Sequence, residues 1–177
     1  MKQIFIVTIL LVSLSQMLVS CKDTNIPISE GTQILFPEQL VFTQYASDTV
    51  AYTIPSDVPY KVVVYVDSTG CTDCKLELFR WQKLMEHIDT LKSRHIPFLF
   101  FFQPKQENIE LEYLLRGYEF DTPVCVDTDN RFGKLNSFST DSIPLAFLLD
   151  ADNRVVVMGN PVFNRRINEL YLEKLCE

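Results

Sequence analysis

The feature that most constrains this chain is a pair of unbroken apolar runs, Lys61-Val62-Val63-Val64-Tyr65-Val66 and Pro97-Phe98-Leu99-Phe100-Phe101-Phe102. A strand with one wet face alternates apolar and polar side chains, whereas a strand covered on both faces reads as continuous. Both runs therefore belong inside a sheet that carries packed layers on either side. Between them, from Cys71 to about Lys92, Leu78, Trp81 or Phe79, Leu84 with Met85, Ile88 and Leu91 recur at helical spacing. Asn108 to Gly117 reads as a helix stopped by its glycine. Pro123 to Asp127 is a third strand, followed by a short helical stretch near Arg131 to Asn136. Leu145 to Asp150 is a fourth strand, Asp152-Asn153 a turn, Val155 to Met158 a fifth strand, and Asn164 to Leu175 a last amphipathic helix. Strands alternating with helices, closed by a hairpin and a helix, describe an α/β sandwich whose central sheet is mixed and flanked by helices.

The first twenty residues are of another kind. The apolar run from Ile4 to Leu14 follows a single Lys2. It falls short of the roughly 20 apolar residues that span a bilayer and has the size of a signal-peptide core. Leu18-Val19-Ser20-Cys21 resembles the lipobox of bacterial lipoproteins. That resemblance implies cleavage before Cys21 and a lipid on its sulfur, with an ordinary cleaved signal or an uncleaved anchor as the alternatives. The chain then divides into a signal peptide, 1–20, a lipidated tether, 21–32, and one domain, 33–177. Residues 33–60 form an N-terminal β extension: Gln33 to Phe36, Leu40 to Thr43 and Thr49 to Thr53 are short extended candidates suited to a hairpin on a sheet edge.

With 16 basic and 23 acidic residues the net charge is −7, which argues against a nucleic-acid partner, since that would want a clustered basic face. Of the five cysteines, four remain once Cys21 is assigned to lipid: Cys71, Cys74, Cys125 and Cys176. The leader puts them in an extracytoplasmic space, where disulfides persist. Cys71-Thr72-Asp73-Cys74 stands where a buried strand turns into a helix. Unpaired backbone N–H groups and the helix dipole favour an anion there. The thiolate is the nucleophile of disulfide exchange, and a second thiol one helical turn onward can resolve the mixed disulfide.

From about Val58 to Glu177 the chain resembles the thioredoxin-like fold, and within it the membrane-tethered TlpA/ResA-type thiol-disulfide oxidoreductases of the bacterial envelope. Three features carry this. One is the strand, Cys71-x-x-Cys74, helix succession; another is Ile143-Pro144 before the strand Leu145 to Asp150, placed like the cis-proline loop of that fold. The third is an inserted strand-helix unit beyond what the smallest thioredoxins hold. Glu77, three residues after Cys74, falls where that type often carries a functional acid.

The resemblance implies an enzyme that reduces or exchanges client disulfides through Cys71 and Cys74. Backbone at Ile143 beside Pro144 would pair with the client chain, and Glu77 or Asp67 would relay a proton. It needs no cofactor. An integral-membrane thiol carrier would supply electrons, and the site would lie on the periplasmic or cell-surface side.

The sequence departs from the pattern in places. Gly70 stands where an aromatic residue usually precedes the pair, and Thr72 and Asp73 replace the common intervening Gly-Pro or Glu-Pro. Asp73 disfavours a neighbouring thiolate, an effect that Lys75 offsets in part. Tyr65 occupies the position where thioredoxins bury an aspartate, and the nearest acid on that strand is Asp67. Whether the pair runs as reductant or oxidant stays open.

Competing readings are a permanent structural disulfide, a non-catalytic lipoprotein that binds a partner through the Pro144 loop, and a thiol peroxidase. For the last, Thr69 with Arg165 or Arg166 would serve, although the proline expected before the cysteine is missing. A zinc site needs four closed ligands. His87 lies 13 residues past Cys74 on the same predicted helix and His95 farther still, so neither reaches the pair and no metal is expected. Cys125, between Val124 and Val126, reads as a buried core thiol. Cys176 is either free or paired with an unknown partner, and Trp81 with the phenylalanines of 98–102 reads as core.

Overall fold

The computed structural model describes residues 28–45, 50–55, 57–67, 76–91, 96–104, 109–138 and 145–176. These hold strands β1 (Phe42–Gln44), β2 (Val50–Tyr52), β3 (Tyr60–Val66), β4 (Phe98–Phe102), β5 (Val124–Val126), β6 (Leu145–Asp150) and β7 (Val155–Met158). They also hold helices α1 (Leu78–Leu91), α2 (Ile109–Gly117), α3 (Arg131–Leu135) and α4 (Arg165–Cys176). The strands form one sheet in the order β2-β1-β5-β4-β3-β6-β7. β3, β4 and β5 are parallel, while β6 runs antiparallel to β3 and β7 to β6. β1 pairs antiparallel with β2 and with β5, so the N-terminal hairpin extends the edge that β5 provides. The mixed α/β sandwich expected from the sequence is the fold observed.

The two apolar runs fill the middle of this sheet. Alternate residues of β3 enter different cores: Val62, Val64 and Val66 pack with Leu78, Trp81, Leu84 and Ile88 of α1 and with Tyr171 and Leu175 of α4. Val63 and Tyr65 pack on the opposite face with Ile34, Phe42, Phe132 and Phe138. Every residue of β4 is buried for the same reason. Trp81, not Phe79, is the core aromatic of α1, at 1% exposure against 59%.

Three local readings are corrected. The helix read as continuous from Cys71 is interrupted: Glu77 has φ of 49°, and α1 begins at Leu78. Leu76 and Leu78 explain the break, because both are at most 2% exposed and both enter the same core. Two residues along a continuous helix are about 200° apart, so it would aim them to opposite sides. A left-handed residue between them returns both to the sheet.

Gly117 is the last residue of α2, as read, but it does not supply the left-handed closure. The left-handed position falls at Glu119, with φ of 50°. The Glu119 N–H donates to the Arg116 carbonyl at 3.0 Å and the Phe120 N–H to the Leu115 carbonyl at 2.9 Å. That is a Schellman closure, with Leu115 and Phe120 as its buried apolar pair.

The segment read as tether, 21–32, is bound to the domain over its last residues. Gly31 N–H donates to the Val155 carbonyl and Val155 N–H to the Thr32 carbonyl, at 2.8 and 2.9 Å, and Ile34 N–H donates to the Asn153 carbonyl. Asn136 fixes Leu35 by a reciprocal pair of 2.8 Å bonds, and Ile34 is 1% exposed. Leu35 and Phe36 make no strand; Gln33 forms a single bridge to Arg154.

Candidate active site

The carboxyl ends of the three parallel strands lie level. Val66 pairs with Phe102, and Phe102 with Val126. The next residue of each strand is polar: Asp67, Gln103 and Asp127. Gln103 N–H donates to the Val66 carbonyl at 2.9 Å and Asp127 N–H to the Phe102 carbonyl at 2.8 Å, so the row is held by the same ladder. Crevices beyond the carboxyl ends of strands are the usual sites of open α/β sheets. Asp67 and Asp127 are 5% and 3% exposed, which places two carboxylates in the lid of the core.

Each polar group has a structural cause. Asp127 Oδ2 accepts from the Phe132 N–H at 2.7 Å, at the start of α3, where a carboxylate answers free amides and the dipole. Its Oδ1 faces the Arg131 guanidinium at 3.6 Å. The Tyr65 hydroxyl lies 2.9 Å from Asn130 Oδ1 and 3.1 Å from Gln103 Oε1. Tyr65 is 2% exposed, and its ring packs on Phe132 and Phe138. Asn130 is left-handed, with φ of 53°.

Gly133 supplies the space: a β-carbon there would stand 2.1 Å from Asn130 Oδ1 and 2.6 Å from the Tyr65 hydroxyl. The position where thioredoxins bury an aspartate is thus filled by a tyrosine in a seat shaped by a glycine. Sequence reasoning missed this cluster, although a glycine inside a five-residue helix was a signal for close approach.

The sequence-predicted residues divide into two groups. Cys21, Cys71, Cys74, Ile143 and Pro144 lie outside the described residues. Asp67 and Glu77 are described. Asp67 belongs to the polar row, one residue past β3. Glu77 caps α1 with its carbonyl, which accepts from Arg80 N–H at 2.8 Å and Trp81 N–H at 3.2 Å. Its carboxylate meets the Arg80 guanidinium at 3.2 Å, and Arg80 Nη1 donates to the Val162 carbonyl at 3.2 Å.

Cys125 is buried, as read, and free; burial and then the Asp127 charge push its thiol up to about 11. Cys176 is free and exposed. Arg165 and Arg166 are exposed in the first turn of α4, where Arg165 pairs with Glu169 at 2.9 Å. His87 is exposed on α1, and among the described residues no group of His, Cys, Asp and Glu side chains gathers to hold a metal.

No protein-family model and no curated protein matches the sequence. Solved structures do match the fold. A candidate thiol:disulfide interchange protein DsbE from Chlorobium tepidum superimposes with a TM-score of 0.58 at 11% identity, covering 84% of this chain and 99% of that one. A candidate thiol-disulfide oxidoreductase from Bacteroides vulgatus gives 0.52 at 19% identity, over 80% and 90% of the two chains. A candidate protein disulfide isomerase from Bacteroides thetaiotaomicron gives 0.51 at 14% identity, over 84% and 89%. At these identities the likeness is one of fold.

Proposed function

We propose that this protein, whose fold is thioredoxin-like, is a lipid-anchored thiol-disulfide oxidoreductase of the bacterial envelope that works through Cys71 and Cys74. The observation that carries the reading is the register of the two central antiparallel strands. Tyr65 of β3 pairs with Leu145 of β6. The chain that leaves β3 toward Cys71 and the chain that enters β6 from Pro144 therefore issue from the same end of neighbouring strands. That end is also the one crowned by Asp67, Gln103 and Asp127.

In the reaction, the Cys71 thiolate attacks one sulfur of a client disulfide. A mixed disulfide forms, and the other client sulfur leaves as a thiolate that takes up a proton. Cys74, deprotonated by Asp67 or Glu77, then attacks the Cys71 sulfur. The client is released with both sulfurs reduced, and the pair is left oxidised by two electrons. An integral-membrane thiol carrier restores it. Backbone at Ile143 beside Pro144 holds the client strand. Cys21 carries the lipid; no helix of the described residues is long and apolar enough to cross a membrane.

The test is a redox titration of the full-length protein in glutathione and dithiothreitol buffers, with alkylated thiols on Cys71 and Cys74 counted by mass spectrometry. A reversible two-electron transition confined to this pair is expected. A pair that never forms a disulfide, or that resists reduction throughout, would turn the reading to the binding module. For the anchor, metabolic labelling with a fatty acid should mark the wild type and not Cys21→Ser.

A further inference from the structure

Beside the first turns of α1 runs an open groove of about 320 Å³ between that helix and the turn that precedes α4. Its apolar surface comes from Phe79, Leu84 and Val162, and its polar lining includes Arg80, Lys83 and His87. Among the described residues no carboxylate lines it. In a chain of net charge −7 this is an exception.

Phe79 is 59% exposed, with the Lys83 ammonium 5.5 Å from its ring centroid, and Phe163 on the neighbouring turn is 46% exposed. Large apolar side chains grouped with cations on an acidic protein are the composition of a recognition patch.

The cations have nearby partners, Glu77 for Arg80 and Glu86 for Lys83. Both pairs have exposed members, and such pairs are worth about 0–1 kcal/mol, so they exchange readily. Donors also remain. A guanidinium offers about five N–H groups, of which Nε faces Glu77 and Nη1 the Val162 carbonyl; an ammonium offers about three.

From this groove we infer that the protein selects clients whose disulfide is followed or preceded by an apolar, acidic segment, and that the groove is where that segment docks. The inference rests on the proposed redox function and names its substrate class. Charge complementarity chooses the occupant: carboxylates satisfy Arg80, Lys83 and His87, and an aromatic or aliphatic side chain covers Phe79. Chain length sets the spacing. Phe79 is five residues from Cys74, which limits their separation to about 18 Å, a span that about five extended client residues match.

The test uses two fluorescent peptides of equal length, each with serine at the client cysteine position. One carries Glu-Leu-Phe-Glu four to seven residues away; the other carries Lys-Leu-Phe-Lys there. Binding to the full-length protein is read by anisotropy. The acidic peptide should bind at least tenfold tighter in low salt, the difference should shrink in high salt, and F79S/K83E should abolish it.

In parallel, the same variant with its pair pre-reduced should exchange with neutral 2-hydroxyethyl disulfide at the wild-type rate. Equal binding of the two peptides, or acidic-peptide binding that survives both F79S/K83E and K83A, overturns the docking site. Docking without any exchange by the wild type overturns the redox reading instead.

Discussion

Replacing Gly133 by alanine separates two opposed effects. Gly133 lies inside α3, and in a free helix alanine is better than glycine by about 1 kcal/mol. In this fold the added carbon would meet Asn130 Oδ1 at 2.1 Å and the Tyr65 hydroxyl at 2.6 Å, both closer than atoms pack. Forcing an extra carbon into a filled site costs about 1–3 kcal/mol. Separating the 2.9 Å hydroxyl-to-amide contact leaves buried polar atoms poorly satisfied, for about 1–3 kcal/mol more. Set against the helix gain, the net is a loss of about 3 kcal/mol, or about 6–12 °C in melting temperature for a chain of this size.

Circular-dichroism melts of full-length wild type and Gly133→Ala measure it. The partner variant Asn130→Gly in the Gly133→Ala background removes the nearer obstacle and suits the left-handed backbone at 130, so it should recover part of the loss. A single variant that melts at or above the wild type would refute the seat. It would mean that Tyr65 and Asn130 move aside at no cost.

Four further outcomes are expected. Glu119→Gly should raise the melting temperature by about 2–4 °C, because it relieves about 1 kcal/mol of left-handed strain at the Schellman position. Gly117→Ala should be neutral to stabilising, since its β-carbon would meet nothing within 4 Å; a loss there would mean that the closure depends on Gly117 after all.

Cys125, with its thiol raised to about 11, should resist iodoacetamide at pH 8 in the folded protein and react once urea unfolds it. Its neutral form is favoured by folding, so its contribution to stability is full below the ordinary thiol value of 9.0 and declines as pH rises from 9.0 toward about 11. Urea titrations across that range read the slope. Tyr171→Phe should cost about 1 kcal/mol, because the buried hydroxyl donates to the Gly159 carbonyl at 3.2 Å, and a wild-type melting point would contradict that bond.

The strands and most helices were legible because they are written in local patterns. An unbroken apolar run such as 62–66 is soluble only when covered on both sides, and Asn164, two and three residues before the amides it caps in α4, marks its own helix start. Glu77 and Glu119 were not legible. Each holds a left-handed backbone that its side chain does not announce, and each does so because buried neighbours, Leu76 with Leu78 in one case and Leu115 with Phe120 in the other, must reach the core. Of the candidate site, Asp67 could be named from its place after β3. The seat of Tyr65 could not, since Tyr65, Gln103 and the pair Asn130 and Gly133 come from three separate stretches of chain.

The sequence by itself determined the layers and the mixed sheet. Periodicity, charge and spacing act over a few residues and need no partner. Only the tertiary structure decided where the chain must break its own helices, that residues 31–34 fasten to the β6–β7 turn and to β7, and that a tyrosine and a polar row stand at the carboxyl pole. Those choices follow from what distant segments bring within contact. Burial sets their energies, and the side chains that share a buried space are fixed only once the sheet has assembled.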